Sequence, residues 1–510
     1  MSFDSAHVKA ATADVARNLS AIEWITDARL ERLSQDFYWF SPVLKRQLEH
    51  LRADAVARPK TEDEIRAVVA ACAAARLPLT VRGSGTGNYG QSMPLFGGVV
   101  LDLSAYNRLL WSRDGVARAQ AGIRMMDMDR QLQAAPEGAL GWELRCVPST
   151  YRAATLGGLY GGGFGGIGSI NHGPLASTGN VLGVRAMTIE PEPKAVELRA
   201  PEALLLHHVY GTNGLVLELE VGLAPAHAWL ESIVCFEDFD AAIGFGDALA
   251  SAPGVLKKSV TLLAAPIPDI LMQASPPIAG QMGAGSHAVF VAVAPGSEPA
   301  MLQLAGEWGG RVTLRRTAEE VRRTNRTILE YTWNHTTLHA LKVDKTLTYI
   351  QSGFEAGRHV EQAKKLRQAL GDEVLVHLEF IRTKEGAMNC SGLQLVRYTT
   401  DERLNEIMQI HRDHGVYIAN PHVYIVEDGK QGQINPDVVA TKMRFDPMGL
   451  LNPGKLRGWE ERERIMADVA AGRVSLATLP SFEIRADGPT TSGEILMTLT
   501  STPLRSRLAV

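Results

Sequence analysis

Cysteine is scarce in this chain: four in 510 residues, at Cys72, Cys146, Cys235 and Cys390. They form no CxxC pair, and their spacing builds no disulfide framework, which fits a reducing cytoplasm. An excess of positive charge is missing too. The formal net charge of −4 leaves no basic footprint for nucleic acid and no polybasic patch for anionic lipid. No apolar run reaches the ~18 residues of a membrane span. The opening MSFDSAHVKAATADVARN lacks the charged-then-apolar pattern of a leader. Internal repeats and low-complexity tracts are absent. Together these absences predict a soluble cytoplasmic protein, with ordinary hydrophobic (45%) and charged (21%) content.

Glycine, by contrast, is concentrated. From Thr155 to Gly168 the chain runs TLGGLYGGGFGGIG, eight glycines in fourteen residues. Such a run removes side chains where something bulky presses on the backbone or where amide N–H groups converge. A second loop, VRGSGTGNYGQSMP, spans Val81 to Pro94. It is not the dinucleotide fingerprint, because another strand rather than a helix follows it, and it lacks the Lys-Ser/Thr of a triphosphate loop. Alone, each loop also reads as a tight connection or a linker. Leu156, Leu159, Tyr160, Phe164 and Ile167 interrupt the long run and mark it as packed. Paired, the loops predict two walls around one large phosphate-bearing cofactor.

At this length the chain divides into more than one domain. Residues 1–54 form an N-terminal helical segment with an aromatic insertion, DFYWFSP. In residues 55–225, Thr61 and Glu64 make a capping box and Ile65, Val68, Val69 and Cys72 share a helix face. The strand LTVR then aims into the first glycine loop, and βα units give way to antiparallel hairpins. Residues 226–433 alternate strands (SIVCF, HAVFVAVAP, EVLVHLEFI, HVYIVE) with longer helices, one sheet covered by helices. Residues 434–460 return to the first domain, and 461–510 form a tail. The fold class is α+β.

Four ordered signatures, VARPKTEDEIRAVVAACAAARLPLTVRGSGTGNYGQ, TLGGLYGGGFGGIGSINHGPLASTGNVLGVRAMT, YGTNGLVLELEVGLAP and RFDPMGLLNPGKL, resemble those of FAD-linked oxidases and dehydrogenases. The family is the vanillyl-alcohol oxidase / p-cresol methylhydroxylase superfamily. The resemblance implies a PCMH-type FAD-binding domain of two α/β subdomains plus a substrate (cap) domain. It implies that Arg82, Gly83, Ser84, Gly85, Thr86, Gly87 and Asn88, with Gly90 and Gln91 of the same loop, hold the FAD pyrophosphate. Thr155, Gly157, Gly158, Gly161, Gly162, Gly165 and Gly166 would admit the flavin and its ribityl chain. Gly211, Thr212, Gly214 and Val216 would line the adenine side. Asn452 and Lys455 of NPGK would close over the flavin, Lys455 offsetting cofactor charge; taken alone, NPGK is a plain turn. His172 sits near the flavin edge or only hydrogen-bonds its loop. Many relatives join a histidine of the first loop covalently to the flavin. GSGTGNYG has none, which excludes attachment there and leaves a tether from the second domain open.

Flavin oxidation needs a C–H held over N5 and a group to accept the O–H proton. Two clusters offer candidates: Tyr331, Trp333, His335, His339, Lys342, Asp344 and Tyr349 in one, and His377, Glu379, Arg382, Asn389, Asn420, His422 and Tyr424 in the other. Read as strands, HVYIVED puts His422 and Tyr424 on one face, and VHLEFI does the same for His377 and Glu379. Those faces floor a polar pocket or face solvent. His422, after Asn420-Pro421, is the first expectation for proton acceptor or substrate anchor. His335 and His339 share a helix face, but no HExxH glutamate lies between them, no third ligand is evident, and no metal is expected. His411 and His414 read as solvated groups on a polar helix. The expected reaction is hydride transfer to flavin N5 from an alcohol or 2-hydroxy acid. One alternative is a phenolic substrate, with Tyr331, Tyr349, Tyr424 and Arg382 stabilising a phenolate. Another is a non-redox flavin-binding transferase or partner subunit. The expected partners are a small-molecule substrate, oxygen or another electron acceptor, and a second copy in a homodimer.

Overall fold

The computed structural model describes residues 3–134 and 141–476. Three strands, Ala55–Arg58, Val99–Asp102 and Leu79–Arg82, form a parallel sheet in that order. The helix Glu62–Ala74 makes the crossover. Its first turn is capped where the Glu64 amide donates to Thr61 Oγ1 (3.2 Å), and Ile65, Val68, Val69 and Cys72 are buried on one face. The N-terminal segment is not wholly helical: Glu23–Ile25 adds an antiparallel edge strand beside Ala55–Arg58. Its short apolar stretch pairs with a free sheet edge, which local sequence cannot reveal.

A second, six-stranded antiparallel sheet is organised about the long strand Leu215–Pro225. That strand pairs with Val116–Gln120 on one side and Val181–Met187 on the other. One continuous apolar core joins this sheet to the parallel one.

The third sheet has eight antiparallel strands, ordered Arg311–Arg316, Leu230–Phe236, His287–Val293, Lys257–Leu263, His377–Arg382, Met388–Gly392, Gln351–Gly353 and Tyr417–Ala419. Alternation along its strands feeds two cores. Val234, Val289, Val291 and Leu262 pack under helices such as Phe239–Ser251 and His359–Leu370, whereas Ile233, Phe290 and Leu263 face Ile267–Ala274 and Asn334–Val343. Burial on both faces explains why these strands read as continuous apolar runs.

The expected strand at HVYIVE does not form; the strand there is Tyr417–Ala419. After Pro421 the chain turns, with the His422 amide donating to Asn420 Oδ1 (2.9 Å). Farther on, the chain rejoins the parallel sheet: the Leu79 amide donates to the Leu450 carbonyl (2.9 Å) and the Asn452 amide to the Leu79 carbonyl (2.7 Å). A buried ion pair, Lys442 Nζ to Asp446 Oδ2 (2.5 Å), fixes that return, and Asp446 also accepts from the Leu450 and Leu451 amides.

Candidate functional site

The first glycine loop leaves the carboxyl end of the strand Leu79–Arg82, where open α/β sheets place ligands. The long glycine run opens as the helix Leu156–Gly162. Four glycines in seven residues make a poor helix former, so tertiary contacts hold it. Thr155 Oγ1 accepts from the Gly158 amide, the Gly157 amide donates to the Ala121 carbonyl (2.8 Å), and the Tyr160 hydroxyl donates to the Ala203 carbonyl. A third wall, His208–Gly211, is pinned to this helix through the His208 amide on the Tyr160 carbonyl and the Tyr210 amide on the Gly161 carbonyl. His208, Tyr210 and Gly211 all have positive φ there.

These walls enclose a slot of about 120 Å³ lined by Arg82, Gly83, Ser84, Gly85, Thr86, Gly87, Gln91, Thr155, Gly157, Gly158, Gly161, Gly162, Gly211, Gly214 and Val216, among others. Thr86, Gly87, Gln91, Gly158, Gly162 and Tyr210 also line a second cavity of about 520 Å³, so slot and chamber are continuous. The chamber is walled by Asn88, Phe164 and Gly165 on one side and by Trp333, Asn334 and His335 on the other. Two buried donors at this wall, Arg82 Nε and Asn88 Nδ2, have no protein partner. At Gly161 an added Cβ would meet only the Gly211 nitrogen, at 3.9 Å. Unpartnered donors beside a wall without side chains are what a phosphate-bearing cofactor needs.

Several expected cofactor contacts lie elsewhere. Gly90 packs against Leu48, and a Cβ on Gly166 would overlap the Val147 carbonyl, so both glycines serve close packing rather than the cavity. His172 lines neither cavity; burial, with Arg145 and Lys258 nearby, pushes its pKa down to about 4. Asn452 and Lys455 lie beneath the first loop. Asn452 Nδ2 donates to the Gln91 and Tyr210 carbonyls, and Lys455 Nζ to the Gln91 (2.8 Å) and Met93 (2.6 Å) carbonyls. Lys455 therefore tethers the loop. Burial pushes its ammonium down to about 7, opposed by the Asp36 carboxylate.

Of the residues in the two candidate clusters, Trp333, His335 and Asn420 line the chamber, and His335 is the one among them with a titratable side chain. Its Nδ1 donates to the Glu330 carbonyl (3.2 Å), which leaves Nε2 as an acceptor, and burial lowers its pKa to about 4, so the ring is neutral at pH 7. His422 is corrected to a structural role: its Nε2 donates to the Tyr349 carbonyl (2.9 Å), and its Nδ1 accepts from Ser41 Oγ (2.8 Å). Tyr424 packs with Leu48 and Met93. Tyr331 bonds Ser275 Oγ (2.6 Å) away from the cavity. His377 and Glu379 do share a face, but that face is the protein interior, at 0% and 1% exposure. Their carboxylate–imidazole contact is 2.8 Å. His411, expected to be solvated, is fully buried with Nδ1 on the Ile407 carbonyl. Of the phenolate set, Tyr349 is buried and Arg382 donates to the Gly386 carbonyl, so none lines the chamber.

Tyr89, Arg152 and Lys430 also line the chamber and are not among the candidates expected from sequence. Tyr89 was visible as the aromatic residue inside the first glycine loop. Arg152 is joined to Glu330 (3.3 Å), a contact between distant segments that carries no local signal. Among the described residues, no group of three or more His, Cys, Asp or Glu side chains could hold a metal ion, and no helix is long and apolar enough to cross a membrane.

Comparison with known proteins agrees with this geometry. Residues 53–196 match the family of the FAD binding domain. An uncharacterised oxidoreductase of the fasciation locus of Rhodococcoides fascians is 35% identical over 186 residues, 35% of this chain and 39% of that protein. The glycolate oxidase subunit GlcD of Bacillus subtilis is 29% identical over 199 residues, 37% of this chain and 41% of that protein. A D-lactate dehydrogenase of Anaerostipes hadrus is 26% identical over 216 residues, 40% of this chain and 42% of that protein. The chain thus spans about two fifths of the length of the curated relatives it matches. Over the whole fold, a solved alkyldihydroxyacetonephosphate synthase superposes with a TM-score of 0.63 at 13% identity, covering 87% of this chain and 85% of that one.

Proposed function

We propose that this chain, which carries a PCMH-type FAD-binding domain, is a FAD-dependent oxidoreductase oxidising a CH–OH group of a small molecule, an alcohol or 2-hydroxy acid. The observation that carries the reading is the continuity of the glycine-walled slot with a chamber that holds a neutral histidine. Bound FAD supplies the hydride acceptor, N5.

The chain's own residues supply the rest. Arg82 and Asn88 offer unpartnered donors to the phosphates, and Gly158, Gly161 and Gly162 let the cofactor lie against backbone. Thr155 fixes the entry of the glycine helix, and Gln91 holds its end through the Gly162 carbonyl (2.9 Å). His335 Nε2 accepts the substrate hydroxyl proton, its tautomer set by the Glu330 carbonyl.

Purified protein should be yellow and should bleach anaerobically with a small alcohol or hydroxy acid. A colourless protein that releases no flavin on acid precipitation defeats the cofactor assignment. A yellow protein that no such substrate bleaches defeats the redox reading and favours a non-redox role.

A further inference from the structure

Trp333 has backbone angles of φ 52° and ψ −142°. For a bulky side chain this is an outlier region, held only where surroundings over-determine it, and such strain gathers at functional sites. The restraint is a buried carboxylate. Glu379 Oε1 accepts from the Trp333 amide (2.6 Å) and lies 2.8 Å from His377 Nε2, while Oε2 accepts from Thr261 Oγ1 (2.6 Å). His377 Nδ1 donates in turn to the Leu393 carbonyl (3.1 Å), so both ring nitrogens are committed. The strained turn projects the indole into the chamber until its far edge reaches the glycine run: a Cβ built on Gly165 would lie 3.8 Å from Trp333 Cη2. Much of the wall around it is aromatic or apolar, including Phe37, Phe40, Tyr89 and Leu338.

We propose that Trp333 is a specificity-determining wedge that sets the breadth of the chamber facing the glycine run, and that Glu379 and His377 are positioning residues that hold it there. Substrates with an apolar or flat aromatic body narrow enough to lie against the indole are accepted, and broader ones are excluded. The inference rests on the chamber being the substrate site, and its test does not depend on turnover.

Trp333→Gly removes the wedge at a backbone geometry that glycine adopts without strain, so the holoprotein should keep its FAD content, while the packing lost with the indole lowers its melting temperature. Benzyl alcohol and 2-naphthalenemethanol, titrated against the oxidised flavin spectrum, report binding without reduction. The variant should bind 2-naphthalenemethanol at least about tenfold tighter than the parent does, with benzyl alcohol unchanged or weaker. Glu379→Ala should shift the same ratio in the parent background but not in Trp333→Gly, where nothing remains to be held. An unchanged ratio in Trp333→Gly, a ratio that Glu379→Ala still shifts in the Trp333→Gly background, or binding of neither probe to either protein overturns the proposal. Altered binding without bleaching of any variant leaves the wedge standing and defeats the redox reading instead.

Discussion

At the scale of single residues, the two histidines His335 and His422 separate cleanly by their partners. His335 keeps a free ring nitrogen in the chamber, whereas both nitrogens of His422 are spent on Ser41 and the Tyr349 carbonyl. His335→Ala should therefore retain the flavin spectrum and slow anaerobic flavin reduction by ~10²-fold, the usual weight of a general base. His422→Ala should leave the reduction rate alone and destabilise the fold by about 1–3 kcal/mol, since it strands buried polar groups. Stopped-flow reduction and thermal melts of both variants check the pair. A slow His422→Ala with an unchanged melt would reverse the roles. The sequence could not make this distinction. Alternation in HVYIVED suggests a strand with His422 facing a pocket, but Pro421 and the Asn420 side chain turn the chain before a strand can form. In VHLEFI the alternation is real and His377 and Glu379 share a face, yet only strand pairing tells that this face is interior.

At the scale of elements, the glycine run divides into positions that meet protein and positions that meet the slot. Gly157 lies against Ala121, and Gly166 against the Val147 carbonyl, whereas Gly161 lines the slot and an added Cβ there would touch only the Gly211 nitrogen, at 3.9 Å. The run was legible as a close approach; which glycine approaches what was not, because that depends on the register of helix Leu156–Gly162 against the neighbouring strands. Gly166→Ala should destabilise the fold by about 1–3 kcal/mol or more through overpacking. Gly161→Ala should fold normally and lose FAD, with retention weaker by about tenfold or more, because its methyl fills the slot. The melting temperature of each protein and the flavin-to-protein absorbance ratio after dialysis separate the two effects. Full FAD occupancy in Gly161→Ala would place the cofactor away from that wall.

At the scale of the whole molecule, the βα unit that leads into the first glycine loop and the antiparallel hairpins after it were legible because each is signalled by local pattern. Burial of polar groups at long range was not. Burial lowers the pKa of eight of the fourteen histidines: His172, His207, His335, His339, His411 and His422 to about 4, His208 well below its ordinary value, and His287 in the same direction. A histidine whose folded pKa lies below its unfolded value of about 6.5 binds fewer protons folded than unfolded. Its contribution is fully present above that value and is lost as pH falls toward the folded one. For fully buried His411 and His422 the slope is about 1.4 kcal/mol per pH unit each within that window. Asp36, Asp129 and Glu231, raised by burial, act in the opposite direction at their own titrations. The melting temperature should thus fall steeply from about pH 6.5 towards pH 4. His422→Asn, which removes one of these groups, should flatten that dependence by one proton's worth while lowering stability at neutral pH. A parent and variant that lose stability in parallel would assign the acid lability to carboxylate pairs rather than to the buried rings.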